Sequence, residues 1–205
     1  QLLVVDHAGI AKVNHAVAKA QAIVNQCAGL SDEEKLRAYK DEICALTEYN
    51  FDVLAGGVRY GDPWQLIYVF DEDPSTKVVC EGYAKAFQYL CDLSTFQEDT
   101  TCYTVVGDMN GGAHMWNVVR MGDGKSYLVD VTNCDTGMAG HPDKLFLAGG
   151  TGSVDAGYTV NGISYVYETG TGENQKELFG EDILTLAGTE YDDKAPVISM
   201  PAAVE

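Results

Sequence analysis

The order of hydrophobic periodicities along the chain predicts an α+β fold with an antiparallel sheet. In the first half of the 205 residues, apolar side chains recur at every third or fourth position, as on one face of an α-helix. In the second half they alternate at every second position, as in half-buried strands. Helices that precede strands, rather than alternating with them, are typical of α+β folds. One compact domain fits this length better than two.

An N-terminal helical hairpin is expected over residues 6–50. Its first helix covers residues 6–28, and Gly29 follows as a stop. One helical face would consist of Ile10, Val13, Val17, Ala20, Val24 and Cys27. The second helix begins after Ser31, which has Glu34 three residues later. Ser followed by Glu at this spacing is a capping box, because each side chain satisfies a free backbone N–H at the helix start.

The rest of the chain is expected to complete the same domain. The domain would span residues 1–190, with a core over 51–190, and the proline-containing stretch 191–205 indicates an extended tail or linker. A third helix is expected from about Cys80 to Leu93. Its buried face would consist of Ala84, Phe87, Leu90 and Cys91.

The sheet is predicted from segments that are rich in Val, Tyr and Trp and separated by Gly-rich turns. These segments are 102–108, 113–121, 126–132, 144–148, 158–167 and 183–187. The sequence "GDGK" at 122–125 predicts a hairpin turn between the second and third of them. With that turn, Asn117 would lie opposite Asp130.

The charge balance argues against two classes of partner. The chain carries 31 acidic and 13 basic residues, a net charge of −18, whereas nucleic acids and anionic membranes are bound by basic surfaces. No apolar run approaches roughly 18 residues, so membrane insertion is not expected. The acidic composition fits an exported bacterial protein, secreted or at the cell surface. Because the chain begins at Gln1, any signal peptide is expected to lie outside it.

Neither a metal nor another cofactor is expected. The six cysteines form no C-x-x-C pair, which argues against a zinc or thioredoxin-type site. The acidic "DEDP" at 71–74 lacks the spaced oxygen ligands and glycine of a calcium loop. Cys102 and Cys134 would form a disulfide in an exported protein or else be small core residues. Cys27 and Cys44 are a second candidate bridge across the hairpin.

Three residues together suit thiol catalysis, which needs a thiolate, a base and a group that orients the base. Cys80 is expected at a helix start, where free N–H groups and the helix dipole stabilise a thiolate. His114 in "GAHMWNVV" and Asp130 in "YLVDVT" fall on neighbouring strands. A cysteine alone on a helix is more often a core residue, so the pattern depends on all three. Glu81 is expected only to interact with the helix N-terminus.

The segments "VVCEGYAKAFQYL", "HMWNVV" and "YLVDVTNCD" resemble the bacterial transglutaminase-like superfamily, a relative of the papain-type cysteine peptidases. The resemblance covers roughly residues 35–150 and implies a papain-like core in which a nucleophile helix packs on an antiparallel sheet. The chain departs from the family pattern at Asn133, where Trp is usual, and at Met115, where Ala is usual. These departures bear on substrate preference more than on chemistry.

By this resemblance, Cys80 would attack a carbonyl carbon and form a thioester. His114 would exchange the proton, and Asp130 would orient the imidazole. The backbone N–H of Cys80 would be one oxyanion donor, with Trp64, Gln65 and Tyr68 as candidates for the other. Trp116 is expected to pack behind the site, and Asn117 to hydrogen-bond backbone there.

The leading functional hypothesis is thiol-dependent acyl transfer at an amide, with hydrolysis of a protein or a cell-wall peptide as the reaction. The first alternative is a protein cross-linking transglutaminase, in which an amine accepts the acyl group. The second is a catalytically silent binding module at the cell surface.

Overall fold

A computed structural model of the chain describes residues 6–55, 61–138, 144–170 and 175–191. The helices are α1 (His7–Gln26), α2 (Asp32–Leu46), a 3-10 helix (Phe51–Ala55), α3 (Trp64–Phe70), α4 (Cys80–Asp92), α5 (Val131–Cys134), α6 (Gln175–Phe179) and α7 (Glu181–Leu184). The strands are β1 (Thr101–Met109), β2 (Gly112–Arg120), β3 (Ser126–Val129), β4 (Ala156–Val160) and β5 (Ile163–Thr169). The mixed fold of helices with an antiparallel sheet is therefore confirmed.

The five strands form one antiparallel sheet in the order β3-β2-β1-β5-β4. The turn between β2 and β3 extends from Met121 to Lys125, whose backbone groups are hydrogen-bonded to each other. As a result Asn117 lies opposite Val129, one residue away from the predicted register.

Several predicted strands are wrong at their ends or altogether. The segment 126–132 stops at Val129, because the Asp130 carboxylate accepts the Asn133 N–H (3.1 Å) and caps α5. The segment 144–148 contributes only a single bridge, between Ala148 and Leu128. The segment 183–187 overlaps helix α7 instead.

The segment 158–167 contains a turn, since Asn161 and Gly162 have φ of 51° and 81° and connect β4 to β5 as a hairpin. Helix α3 was not predicted, because its sequence "WQLIYVF" is composed mainly of β-branched and aromatic residues that also suit strands.

Helix α4, which begins at Cys80, is packed on several sides. It contacts β1 and β2 of the sheet, and also α2, α3 and α5. The four residues predicted for its buried face, Ala84, Phe87, Leu90 and Cys91, are all buried. The position of α4 relative to β2 is therefore fixed by helices as well as by the sheet.

The two N-terminal helices contact each other, but each packs more extensively elsewhere. Helix α1 lies mainly against α3, and α2 mainly against α4 and α5. The capping box of Ser31 and Glu34 is confirmed. On α1 the buried face is formed by Ala16, Ala20, Ile23 and Val24. Ile10 and Val17, which the helical spacing placed on that face, are 51% and 45% exposed.

All six cysteines are free thiols, so neither the Cys102–Cys134 nor the Cys27–Cys44 bridge is formed. The neighbour of Cys102 is Cys91 on α4. None of the helices in the described residues is both long and apolar enough to cross a membrane. Most of the expected tail, residues 192–205, lies outside the described residues.

Candidate active site

Cys80 is the first residue of α4 and is 3% exposed. The residue before it, Val79, has an extended backbone and no side-chain cap. Its N–H is instead bonded to the Gln65 Oε1 atom of α3 at 2.9 Å. The first N–H groups of a helix have no acceptor within the helix. The Cys80 sulfur therefore lies at the positive end of the α4 dipole.

Gly82 allows the Val78 side chain to pack closely against the first turn of α4. A Cβ atom on Gly82 would lie 2.5 Å from the Cβ of Val78, a distance that atoms in a packed interior do not adopt. The glycine of "CEGY" is thus explained by the side chain that precedes the helix.

His114 on β2 connects Cys80 to Asp130. Its Nε2 atom lies 2.9 Å from Asp130 Oδ2. The Cys80 side chain is also close enough to the imidazole to raise the pKa of His114. Because Asp130 occupies Nε2, the nitrogen that remains for Cys80 is Nδ1. The three predicted residues are therefore brought together at the start of α4.

Asp130 is fully buried and is held by two further side chains. Tyr167 on β5 donates its hydroxyl to Asp130 Oδ2 at 2.7 Å. Asn133 donates its side-chain amide to the same oxygen at 2.7 Å and its backbone N–H to Oδ1 at 3.1 Å. These donors fix the carboxylate so that it faces the imidazole.

The buried charges in the site stabilise one another. Burial would lower the pKa of His114, but the charge of Asp130, the hydrogen bond that His114 donates to it and the nearby Cys80 raise that pKa to about 10. Burial would likewise raise the pKa of Asp130, but His114, Asn133 and Tyr167 lower it below its usual value. At neutral pH the raised pKa of His114 and the lowered pKa of Asp130 favour an imidazolium paired with a carboxylate.

The side chains of the three candidate oxyanion donors on α3 contact different parts of the protein. Trp64 stacks on Tyr68 at 6.1 Å between ring centroids and borders a shallow cavity with residues of α1. The Lys12 ammonium of α1 lies 5.5 Å above the Tyr68 ring. Both aromatic rings thus face α1, whereas Gln65 alone reaches the residue that precedes Cys80.

Trp116 and Asn117, the two residues expected to support the site, contact different parts of it. Trp116 is buried and stacks on the His114 ring, with centroids 6.1 Å apart. Asn117 is fully buried, and its Nδ2 donates to the Ala84 carbonyl of α4 (3.0 Å) and to Thr104 Oγ1 (3.2 Å). Asn117 therefore joins β2, which carries His114, to α4, which begins at Cys80.

Glu81 does more than interact with the helix N-terminus. It is fully buried, its carboxylate accepts the Gly61 N–H at 2.9 Å, and it pairs with Lys85. Glu81 therefore attaches the segment that follows residue 60 to the start of α4.

Sequence reasoning did not assign roles to Asn133 or Tyr167. Asn133 could have been singled out, because it stands where Trp is usual in the family that the chain resembles. Tyr167 had no such signal, since it is 37 residues from Asp130 and meets it only through the sheet.

Within the described ranges, no group of three or more His, Cys, Asp or Glu side chains is arranged to hold a metal ion. No protein-family model matches the chain, and no curated protein matches it. A solved structure described as "Crystal structure of a TGase" is similar with a TM-score of 0.45 and 18% identity, over 67% of this chain and 35% of that chain. The chain spans about a third of that structure's length, and the similarity is too low to assign a family.

Proposed function

We propose that the chain is a thiol-dependent acyl transferase of the transglutaminase-like, papain-like type, acting on an amide bond through a thioester at Cys80. Hydrolysis is the proposed reaction, on a polypeptide or cell-wall peptide outside a bacterial cell. The observation that carries the proposal is the juxtaposition of Cys80 at the start of α4 with His114, whose Nε2 atom is hydrogen-bonded to the Asp130 carboxylate at 2.9 Å. No cofactor enters the proposed reaction.

In the first half of the reaction, the Cys80 sulfur attacks the carbonyl carbon and a C–S bond forms. Protonated His114 gives its Nδ1 proton to the amide nitrogen, the C–N bond breaks and the amine leaves. Asp130 keeps the proton on Nε2, so Nδ1 is the nitrogen that exchanges it. Water then attacks the thioester and gives a proton to His114. The C–S bond breaks, the acid is released and the thiolate is restored.

Two donors are proposed for the negative oxygen of the tetrahedral intermediate: the Cys80 backbone N–H and the Gln65 side-chain amide. Gln65 is supported over Trp64 and Tyr68 because its Oε1 accepts the Val79 N–H. That hydrogen bond engages the oxygen of the amide and leaves its NH₂ group as a donor.

A silent binding module is the second candidate, and burial is the observation that favours it. Cys80 is 3% exposed and His114 is 7% exposed. A thiol that no substrate reaches would have a structural role only.

The rate at which iodoacetamide labels each cysteine, mapped by peptide mass spectrometry, separates these functions. If the proposal is right, Cys80 is labelled faster than Cys91, because His114 activates its thiol, and His114→Ala abolishes this difference. If Cys80 is labelled no faster than Cys91, which is similarly buried at 5% exposure, the enzymatic proposal is wrong.

Cys44 provides an internal control in the same sample. It is more exposed than Cys80, but burial and the nearby Asp135 raise its pKa to about 12. If the labelling rate depended on exposure alone, Cys44 would be labelled faster than Cys80. If it depends on activation of the thiol, Cys80 is labelled faster.

The acyl acceptor is identified by incubating a peptide mixture with an added primary amine. Hydrolysis gives shortened peptides or deamidated glutamine, whereas cross-linking gives products that contain the added amine. Amine incorporation in excess of hydrolysis would replace the peptidase proposal with the transglutaminase alternative.

A further inference from the structure

A groove of about 460 Å³ lies next to the first turn of α4, and none of the three proposed catalytic residues lines it. Its walls come from the segments 44–51, 74–77 and 135–138, and we refer to it as the α2–α5 groove. Tyr49 in its wall pairs with Val78, two residues before Cys80.

The groove contains the buried carboxylate of Asp135. Asp135 is 5% exposed and accepts the Tyr83 hydroxyl at 2.6 Å and Thr136 Oγ1 at 3.3 Å. Among the described residues no Lys, Arg or His pairs with it. A buried charge that is not paired is costly, and burial raises the pKa of Asp135 accordingly. A carboxylate has about four acceptor positions, so Asp135 can accept further donors.

A second wall residue is also incompletely satisfied. Thr47 is 7% exposed, and its Oγ1 atom has no hydrogen-bond partner in the described part of the chain. Buried hydroxyls are normally bonded, so an orphaned one next to a cavity indicates a missing polar partner. At the rim, Lys77 is already paired with Glu48 at 2.7 Å, and so the lysine does not neutralise Asp135.

The remaining walls suit a cation with an aliphatic stem. The rings of Tyr49 and Phe51, both in the lining, lie 5.0 Å apart. Aromatic faces attract ammonium and guanidinium groups. The net charge of −18 adds a long-range attraction for cationic ligands.

We propose that the α2–α5 groove binds an arginine or lysine side chain of the polypeptide substrate, with the Asp135 carboxylate as its counter-ion. This inference rests on the proposed function of Cys80. Tyr49 in the groove wall is bridged to Val78, and Val78 is two residues, at most about 7 Å, from Cys80. A side chain within a few residues of the scissile amide would therefore reach the groove. The bound group determines specificity and is not the reacting amine.

The test compares an acetylated hexapeptide containing one arginine with the same peptide containing citrulline, which has nearly the same shape but no charge. Binding to the Cys80→Ala protein is followed by NMR shifts of the Thr47 and Thr136 amides. The arginine peptide should bind roughly tenfold to a hundredfold more tightly, as expected for a hydrogen bond between charged groups. Asp135→Asn should remove that preference.

Asp123→Asn is the matched control. Asp123 also accepts a tyrosine hydroxyl, from Tyr127 at 2.6 Å, but it does not line the groove. Asp123→Asn should therefore retain the preference for arginine. Equal binding of the two peptides, no binding of either, or an equal loss in both aspartate variants would overturn the inference. If Asp135→Asn does not fold, the comparison of the two peptides on the Cys80→Ala protein still decides.

Iodoacetamide labelling of the wild-type protein separates the two proposals. Reactive Cys80 without arginine preference would refute only the groove assignment. Inert Cys80 with arginine preference would refute the enzymatic function and leave a cation-binding groove.

Discussion

Replacing Tyr167 by phenylalanine removes one hydrogen bond to the buried Asp130 carboxylate and leaves the ring in place. The Tyr167 hydroxyl lies 2.7 Å from Asp130 Oδ2, and the ring packs edge-on against Trp116 with centroids 5.3 Å apart. A hydrogen bond to a charged group contributes about 1.5–3 kcal/mol. Tyr167→Phe should therefore lower the free energy of unfolding at pH 7 by about that amount.

The chain contains a matched control two residues away on the same strand. Tyr165 is 3% exposed, and its hydroxyl finds no partner among the described residues. Tyr165→Phe removes an unsatisfied buried hydroxyl, so it should be neutral or stabilising. Urea denaturation of the two variants and the wild type, followed by circular dichroism, measures the difference.

The pH dependence provides a second, independent check. The pKa of Asp130 is lowered in the folded state, so its stabilising contribution is complete above the ordinary aspartate pKa of about 3.9 and is lost as the pH falls through the lowered value. The deficit of Tyr167→Phe should therefore shrink in acid. Equal costs for the two tyrosine variants, or a deficit that does not change with pH, would refute this account of the site.

Three further predictions concern the helix start, the histidine and the oxyanion donor. Gly82→Ala should destabilise the fold by about 1–3 kcal/mol through its clash with Val78, whereas Gly29→Ala, with nothing within 4 Å, should change it by less than about 0.5 kcal/mol in the same thermal melts. The pKa of His114 rises from 6.5 to about 10 on folding. The free energy of unfolding should therefore fall as the pH rises across that window, and His114→Gln should flatten the slope. Gln65→Glu keeps an acceptor for the helix start but loses the amide donor. It should lower kcat on a peptide substrate about 10²- to 10³-fold, and an unchanged kcat would exclude Gln65 as the donor.

The catalytic candidates could be proposed before the fold was known because each lies in a local pattern. Cys80 precedes a helical period, so its position at a helix start follows from that period. His114 and Asp130 lie in segments predicted to be strands on either side of a turn. The predicted register was nevertheless one residue off, because the number of residues in the turn depends on backbone hydrogen bonds that several sequences can form.

The sequence by itself determined the helical start at Cys80, the capping box at Ser31 and the strong acidic charge, since these depend on neighbouring residues or on composition alone. Only the tertiary structure decided that Gln65, rather than Trp64 or Tyr68, contacts the residue before Cys80, and that Tyr167 holds Asp130. These contacts join residues 14 and 37 positions apart in the chain. They depend on how α3 and β5 pack against the site, and local periodicity carries no information about that packing.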